Sequence, residues 1–215
     1  AMAANLLARE GLAVAVLEQS LEHYPLPRAV HLDHEMMRLF QTAGVIDRVL
    51  PDMVATDGHL HVGADHGVIR YMGTLGKPKP FGWSNDYFFY QPELEARLRA
   101  AFADSGTVAL QTGAAFTGLE SDARGVTVRY RCEEAEHRIR ARWVIAADGA
   151  RSSVRKHLGI ALDDLGFEEP WLVVDAEVEG PVSFPALHGV PVDADLQQLS
   201  VMMCDPQRPA TVVPG

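Results

Sequence analysis

Residues 1–18, AMAANLLAREGLAVAVLE, decide the fold class of this chain. Residues 1–10 combine strong helix formers with apolar residues at helical spacing, and Gly11 is a residue type that commonly ends a helix. Residues 12–17 are a short, valine-rich apolar run, typical of a buried parallel strand, and Glu18 ends that run. Helix, glycine turn, strand and terminal acid form the second half of a βαβ unit. The sequence therefore predicts an α/β fold.

The acid at the end of this strand is a candidate ligand-binding residue. In dinucleotide-binding βαβ units a carboxylate at this place bonds the ribose hydroxyls, which makes Glu18 and its neighbour Gln19 candidate cofactor-binding residues. The glycine fingerprint G-x-G-x-x-G, which precedes the helix in those units, does not occur in the sequence. On these residues alone, an ordinary α/β unit with a solvated Glu18 explains the pattern equally well.

Residue patterns predict further helices and strands along the chain. Helices are predicted over residues 33–43, 91–103 and 152–157, and strands over 108–110, 115–121, 126–132, 137–145, 171–178, 196–204 and 210–215. Residues 58–83 are rich in Gly and His and predict irregular strands and hairpins. The strand over 137–145 leads to Asp148 and Gly149, and this places the pair at a carboxyl end, where α/β sheets bind ligands.

The composition of the chain is that of a globular protein and argues against several other classes of protein. The chain has 215 residues, 47% of them hydrophobic and 22% charged, so it can bury a sizeable core. Its net charge of −10 argues against a nucleic-acid-binding surface. No apolar run approaches the roughly 20 residues of a membrane-spanning helix, and the two cysteines, Cys132 and Cys204, fit no metal-ligand spacing. We expect a cytoplasmic protein that binds neither nucleic acid nor membranes.

Four segments, taken together, carry a family resemblance. They are the helix–strand–Glu18 unit, residues 26–35 (LPRAVHLDHE), residues 91–94 (QPEL) and residues 147–155 (ADGARSSVR), with residues 171–175 (WLVVD) in addition. The chain resembles the flavin-dependent aromatic hydroxylases, the class A monooxygenases, and is most similar to the 3-(3-hydroxyphenyl)propionate hydroxylases. The most specific likeness is that of residues 148–155 to the family's D-G-x-x-S-x-V-R motif. The resemblance as a whole covers nearly all of this chain but only the front part of such an enzyme.

The resemblance implies a fold and a domain organisation. It predicts a Rossmann-like, three-layer FAD-binding domain, lacking the first strand and glycine loop, interleaved with part of a mainly β substrate domain. Residues 1–57 and 88–166 are expected to form the FAD-binding part, and residues 58–87 and 167–215 the substrate part. Because the family's first strand would be the neighbour of residues 12–17, one edge of this strand lacks a partner. We therefore expect a homo-oligomer that pairs this edge.

The resemblance also implies the reaction and its cofactors. FAD and NAD(P)H are the expected cofactors, and O2 and a small aromatic compound the expected substrates. In such enzymes NAD(P)H reduces FAD, O2 forms a flavin C4a-hydroperoxide, and this species hydroxylates a phenolic or other aromatic compound.

The family's site residues map onto matching positions of this sequence. Arg28 is expected at the FAD phosphates, where a fixed cation is suited to bind them, and Gln91 at the flavin side chain. Asp148 is expected to join the flavin site to the path of the dinucleotide, and Gly149 to allow close approach of the backbone. Arg155 is expected to be linked with NAD(P)H and to brace Asp148. His31 follows Arg28 in a stretch that passes beside the isoalloxazine ring, and it is the candidate catalytic residue. The competing explanations are structural: a surface charge for Arg28, a helix cap for Gln91, a plain turn for the Asp-Gly pair, and a loop histidine without a task for His31.

Two other classes of function remain open. His59 and His61 would share one face of a strand, with Asp65 and His66 close by, and a His-x-His pair can ligate zinc or iron. Because no second pair of ligands stands out, the sequence predicts no metal site. The alternative to an enzyme is a truncated, non-catalytic flavoprotein fragment that acts at most as a binding or interaction module.

Overall fold

The computed structural model describes residues 1–56, 58–73 and 75–214. The α-helices of these residues are α1 (Met2–Arg9), α2 (His34–Ala43), α3 (Ile46–Val49), α4 (Gln91–Ala103) and α5 (Ser153–His157). The strands are β1 (Val14–Leu17), β2 (His31–Asp33), β3 (Met53–Thr56), β4 (His59–Gly63), β5 (Val68–Met72), β6 (Asp86–Phe89), β7 (Val108–Gln111), β8 (Ala115–Asp122), β9 (Gly125–Cys132), β10 (Ala135–Ala141), β11 (Ser200–Cys204) and β12 (Ala210–Val212). In the described part of the chain, no helix has the length and apolar character needed to cross a membrane.

The chain divides into two compact units. The first unit comprises Ala1–Leu12, Tyr24–Thr107 and Ala176–Gly215, and the second unit comprises Ala13–His23 and Val108–Asp175. The first unit contains α1 to α4 and two sheets, with strand orders β12-β11-β4-β5 and β2-β6-β3. The second unit contains α5, the parallel pair β1-β7 and the antiparallel sheet β10-β9-β8.

The parallel pairing of β1 confirms the α/β prediction. Val14 lies opposite Val108 and Leu17 opposite Gln111. Parallel strands need a long crossover connection, which here includes the helices between β1 and β7. The valine-rich run of residues 12–17 thus forms a parallel strand over Val14–Leu17, but this strand is partly exposed and not buried as its composition predicts.

Several predicted strands differ from the structure, and those over residues 196–204 and 210–215 shorten to Ser200–Cys204 and Ala210–Val212. The strand predicted over residues 137–145 stops with β10 at Ala141, and Trp143 and Ile145 beyond it are 81% and 63% exposed. The strand predicted over residues 171–178 does not form, and Trp171 is 80% exposed. Both runs are apolar and β-branched, but a strand also needs a neighbour for its N–H and C=O groups. None of the described strands pairs with either run.

Helices α2 and α4 lie over residues 33–43 and 91–103, where the sequence predicts helices, whereas the short helix α3 is not predicted. Asp33 Oδ1 accepts the N–H of Met36 at 3.0 Å, which caps α2, and Gly44 ends that helix with φ of 73°. Helix α4 contacts α1, where Asn5 Nδ2 donates to the carbonyl of Leu98 at 2.9 Å. A core of buried side chains lies among these helices and consists of Met37, Phe40, Ala43, Val45, Val49, Tyr87 and Leu98.

Strand β6 is the central strand of a three-stranded sheet and positions one unusual side chain. It pairs antiparallel with β2 on one side and β3 on the other, and all four of its residues are buried. Asp86, its first residue, lies opposite Asp33 and Thr56 and is only 3% exposed. The fold therefore buries a carboxyl group inside a sheet, where it requires hydrogen-bond donors.

Candidate functional site

Arg28 and Gln91, both predicted to meet FAD, lie together in the first unit. Gln91 Oε1 accepts the backbone N–H groups of Arg28 at 2.7 Å and of Ala29 at 3.0 Å. The Arg28 guanidinium lies 3.9 Å from the centre of the Tyr24 ring, a cation–π contact. Among the described residues, Arg28 forms no ion pair. Gln91 thus holds the backbone of the Arg28 loop, and the Arg28 guanidinium on this loop is exposed.

Replacing Gln91 with alanine is expected to loosen this loop. The change removes the acceptor of two backbone N–H groups, so we expect a loss of about 1–2 kcal/mol in the free energy of unfolding. The amides of Arg28 and Ala29 should exchange faster with solvent, as measured by hydrogen exchange. The conservative variant Gln91→Glu keeps an oxygen acceptor and should retain their protection. Unchanged exchange in Gln91→Ala would contradict the role given to Gln91.

The Asp-Gly segment folds as an acid-capped turn in the second unit. Asp148 Oδ1 accepts the hydroxyl of Ser152 at 2.5 Å, and its Oδ2 accepts the N–H of Val154 at 3.1 Å. Although desolvation acts to raise the pKa of Asp148, these hydrogen bonds outweigh it and lower the pKa below its ordinary value. Gly149 has φ of 77°, and a Cβ at this position would meet no atom within 4 Å. The hydrogen bonds of the turn thus favour the ionised form of Asp148, and both Asp148 and Gly149 are exposed.

Arg155 is connected to Asp148 through its backbone. Its N–H donates to Ser152 Oγ at 2.9 Å, and that hydroxyl donates to Asp148. Its guanidinium donates instead to the carbonyl of Ile160, at 2.9 Å. The contact of Arg155 with Asp148 is thus indirect, through Ser152, and the Arg155 side chain bonds a carbonyl beyond the end of α5.

Glu18 lies at the carboxyl end of β1, as the sequence predicts. Its backbone continues the pairing with β7, because the N–H of Glu18 donates to the carbonyl of Gln111 at 2.9 Å. Glu18 Oε1 accepts the N–H of Ser20 at 2.8 Å, and the neighbouring Gln19 is exposed. A half-buried carboxylate anchored at the end of a parallel strand suits the hydroxyls of a ribose.

His31 is not a solitary loop histidine. It begins β2, and its Nε2 bonds Oδ1 of the buried Asp86. His59 Nε2, from the first residue of β4, lies 3.5 Å from the other oxygen of the same carboxylate. Asn85 Nδ2 donates to that oxygen at 2.5 Å. The rings of His31 and His59 meet edge to face with centroids 4.9 Å apart. We call His31, Asp86 and His59 the His–Asp–His cluster.

The electrostatics of this cluster favour an ion pair. The hydrogen bond to Asp86 raises the pKa of His31 against the opposing effect of burial, and the charges of Asp86 and Asp33 add to the rise. Burial acts to raise the pKa of Asp86, but the hydrogen bonds from His31, His59 and Asn85 outweigh it and hold the pKa well below its ordinary value. Both pKa shifts therefore favour a charged pair between the Asp86 carboxylate and the His31 imidazolium.

Sequence reasoning missed Asp86 and assigned His59 to a different group. The available signal was an acid at the head of an otherwise aromatic strand, residues 86–89 (DYFF). Among the described residues His59 and Asp65 do not form a ligand cluster, and Asp65 accepts the N–H of Gly67 in the β4–β5 turn. The three residues whose ligand atoms lie within 4.8 Å of one another are instead His31, His59 and Asp86.

The chemistry of Arg28, Glu18 and Gly149 fits the groups of FAD. An exposed, unpaired guanidinium is suited to a pyrophosphate, and a carboxylate at a strand end is suited to a ribose. The open backbone at Gly149 leaves room for close approach of a polar group. Each unit thus carries donors and acceptors of the types that this cofactor requires.

Comparison with known proteins agrees with this donor set. Residues 1–210 match the family model described as FAD binding domain. A probable NADH-specific resorcinol 4-hydroxylase of Rhodococcus jostii (strain RHA1) is 34% identical over 213 residues, which are 98% of this chain and 38% of that protein. The 3-(3-hydroxy-phenyl)propionate/3-hydroxycinnamic acid hydroxylase 2 of Burkholderia vietnamiensis (strain G4 / LMG 22486) is 35% identical over 96% of this chain and 35% of its own length. The chain thus spans little more than a third of these relatives.

Solved structures give the same assignment. The flavin-dependent monooxygenase PieE, in complex with FAD and substrate, is 28% identical, with a TM-score of 0.64 over 75% of this chain and 30% of that one. Aklavinone-11 hydroxylase, in a ternary complex with FAD and aklavinone, is 26% identical, with a TM-score of 0.60 over 74% of this chain and 32% of that one. The sequence resemblance and the predicted FAD-binding fold are both confirmed. This chain therefore belongs to the FAD binding domain family and is similar, within it, to the flavin-dependent aromatic hydroxylases.

Proposed function

We propose that this chain is the FAD-binding part of a monooxygenase that uses NAD(P)H and O2 to hydroxylate a phenolic or other aromatic compound. The observation that carries the proposal is the Gln91 clamp on the Arg28 loop. It holds an exposed, unpaired cation in place, as a phosphate-bearing cofactor requires, in a chain that matches the FAD binding domain over residues 1–210. The names of the relatives, a resorcinol 4-hydroxylase and a 3-hydroxyphenylpropionate hydroxylase, support a phenolic substrate.

The proposed reaction balances with these reactants. One oxygen atom of O2 enters the aromatic ring and the other leaves as water, while NAD(P)H and one proton supply two electrons and two hydrogens. Bound FAD would supply the electron transfer from NAD(P)H and the activation of O2. The chain itself supplies the groups that bind the cofactor, orient the substrate and exchange a proton with it.

Each predicted site residue has a proposed task in this reaction. Arg28 binds the FAD pyrophosphate, and Glu18 with Gln19 bonds the adenosine ribose. Gln91 holds the Arg28 loop through Oε1, which leaves its amide nitrogen for the flavin side chain. Asp148, Gly149 and Arg155 are assigned to the cofactor, and His31 is assigned to the substrate. The partition into FAD-binding and substrate parts, the homo-oligomer and the cytoplasmic location stay predictions.

The test is cofactor-dependent turnover. Protein loaded with FAD should oxidise NADH or NADPH faster when resorcinol or 3-(3-hydroxyphenyl)propionate is present, and mass spectrometry should find a product heavier by one oxygen atom. Benzoate, which has no phenolic hydroxyl, serves as the control substrate. Protein that binds no FAD, or binds it without forming a hydroxylated product, would contradict the proposal and favour the non-catalytic fragment.

Replacing Asp148 with alanine is expected to lower FAD occupancy at least several-fold. The variant loses the acceptor that holds Ser152 and Val154, so the turn at Gly149 no longer keeps its shape. Flavin absorbance per protein after gel filtration measures the effect. Asp122 is a poor control because it bonds Arg140 through both carboxylate oxygens. The exposed Asp163 is a better one, and equal flavin loss in Asp163→Ala would remove Asp148 from the site.

A further inference from the structure

Tyr24 packs its aromatic ring against Arg28, the residue proposed to bind the FAD pyrophosphate. The guanidinium carbon of Arg28 lies 3.9 Å from the centre of the Tyr24 ring. The hydroxyl of Tyr24 forms no hydrogen bond with any residue that the structure describes. The contact with Arg28 therefore depends on the face of the aromatic ring and not on the hydroxyl.

We propose that Tyr24 is a positioning residue for FAD: its ring holds the Arg28 guanidinium in one orientation before the cofactor binds, and this strengthens the bond between Arg28 and the pyrophosphate. The inference rests on the proposed function, because that function assigns Arg28 to FAD. Tyr24 itself touches neither the flavin nor the phosphates, and its effect on the cofactor passes through Arg28.

The geometry of the contact leaves the donors of Arg28 free. A guanidinium is planar, and its N–H groups point outward within that plane. A separation of 3.9 Å is van der Waals contact between carbon atoms, which fits a guanidinium that stacks on the ring by its face. A carboxylate partner would instead occupy the N–H groups, as Asp122 does at Nη2 of Arg140. Tyr24 thus orients Arg28 without competing with a phosphate for its donors.

The backbone keeps the ring and the guanidinium within reach of each other. Residues 24–28, YPLPR, contain two prolines, each of which fixes its own φ and restricts the residue before it. Tyr90 Oη donates to the carbonyl of Pro25 at 3.1 Å, and Gln91 Oε1 accepts the N–H of Arg28. Tyr90 caps α4 and Gln91 is its first residue. Both ends of this stiff segment are therefore held at the start of α4.

Restricting the Arg28 side chain in advance should strengthen phosphate binding. Arg28 is exposed, and an exposed arginine without a contact moves among many rotamers. A phosphate that binds such a side chain has to restrict it, and this loss of rotamer freedom weakens binding by about 3- to 10-fold. The effect of removing the Tyr24 ring should thus be smaller than that of removing the guanidinium itself.

Titration of flavin fluorescence with Tyr24 variants tests the inference. Tyr24→Leu keeps an apolar side chain without an aromatic face and should weaken FAD binding by about 3- to 10-fold. Tyr24→Phe keeps the face and should bind FAD within about twofold of the native chain. Phe81 is the matched control, because it is exposed in the same unit and its ring lies 5.1 Å from the guanidinium carbon of Arg38. Native affinity in Tyr24→Leu, or an equal loss in Tyr24→Phe or Phe81→Leu, overturns the positioning role.

The same titration in an Arg28→Ala background separates positioning from direct contact with the cofactor. If Tyr24 acts through Arg28, Tyr24→Leu should cause no further loss of affinity once the guanidinium is absent. A loss of the same size in both backgrounds would mean that the ring touches FAD itself, and this result would also overturn the positioning role.

Arginine side-chain NMR of the full chain tests the contact without any cofactor. The ring current of Tyr24 should move the Hδ and Hε resonances of Arg28 upfield from those of Arg70, an exposed arginine of the same unit. The shift should persist in Tyr24→Phe and vanish in Tyr24→Leu. Arg28 resonances that coincide with those of Arg70 in the native chain overturn the inference. Failure of the native chain to bind FAD would instead contradict the proposed function, while the NMR result would still decide whether Tyr24 orients Arg28.

Discussion

Replacing Asp86 with alanine is expected to lower the free energy of unfolding by about 3 kcal/mol near pH 6. The variant leaves two imidazoles without their shared acceptor inside the β2-β6-β3 sheet, and removing one partner of a buried ion pair is strongly destabilising. It also removes the acceptor of Asn85 Nδ2. Urea unfolding followed by circular dichroism measures the loss. Asp33→Ala, which removes an exposed helix cap from the neighbouring strand, should cost only about 1 kcal/mol.

The same variant should change how stability depends on pH. The pKa of His31 is raised above 6.5, so its contribution is fully present below about pH 6.5 and is lost as pH rises through the folded-state value. The pKa of Asp86 is lowered from 3.8, so its contribution is present above about pH 4 and is lost as pH falls through the folded-state value. The stability of the native chain should therefore decline as the pH rises above about 6.5, and less steeply in Asp86→Ala. Equal slopes in the two proteins would contradict the ion pair.

Replacing Arg28 with alanine is expected to weaken FAD binding by roughly 10- to 100-fold. This is the usual effect of losing a charge-assisted hydrogen bond to a phosphate. The fold should be unaffected, because the guanidinium is exposed and its described contact is with the Tyr24 ring. Titration of flavin fluorescence measures the affinity.

Two further variants make that result specific. Arg28→Lys keeps the charge but loses the planar donor fork, so its affinity for FAD should fall between the native and alanine values. Arg70 is an exposed arginine of the same unit, and Arg70→Ala should bind FAD as the native chain does. An equal loss in the two alanine variants would indicate a general effect of net charge and not a phosphate contact.

The elements that the sequence predicts well are those with local determinants. Helix α2 has Asp33 as its cap and Gly44 as its end, and the residue types alone specify both. The strand predicted over residues 137–145 ends early, at Ala141, and the one predicted over residues 171–178 does not form, because a strand depends on a partner distant in sequence, which an apolar run does not reveal. The same dependence shortened the strand predicted over residues 196–204 to Ser200–Cys204.

Some residues of the candidate site could likewise be predicted from local sequence, and others could not. Arg28, Gln91 and Asp148 could be named from motifs, and the structure adds the contacts of Gln91 with the Arg28 loop. Asp86 could not be named, because its meaning comes from β6 being a central strand that brings it beside His31 and His59. A single acid before three aromatic residues shows nothing of that pairing until the sheet register is known.

Isotopic labelling of the product tests the central claim, an FAD-dependent aromatic monooxygenase, most directly. FAD-loaded protein would be given NADH, a phenolic substrate and ¹⁸O2 in unlabelled water. The account predicts a hydroxylated product that carries one ¹⁸O atom per molecule, formed in proportion to the NADH consumed. A product whose new oxygen comes from water, or NADH oxidation without any hydroxylated product, would contradict it.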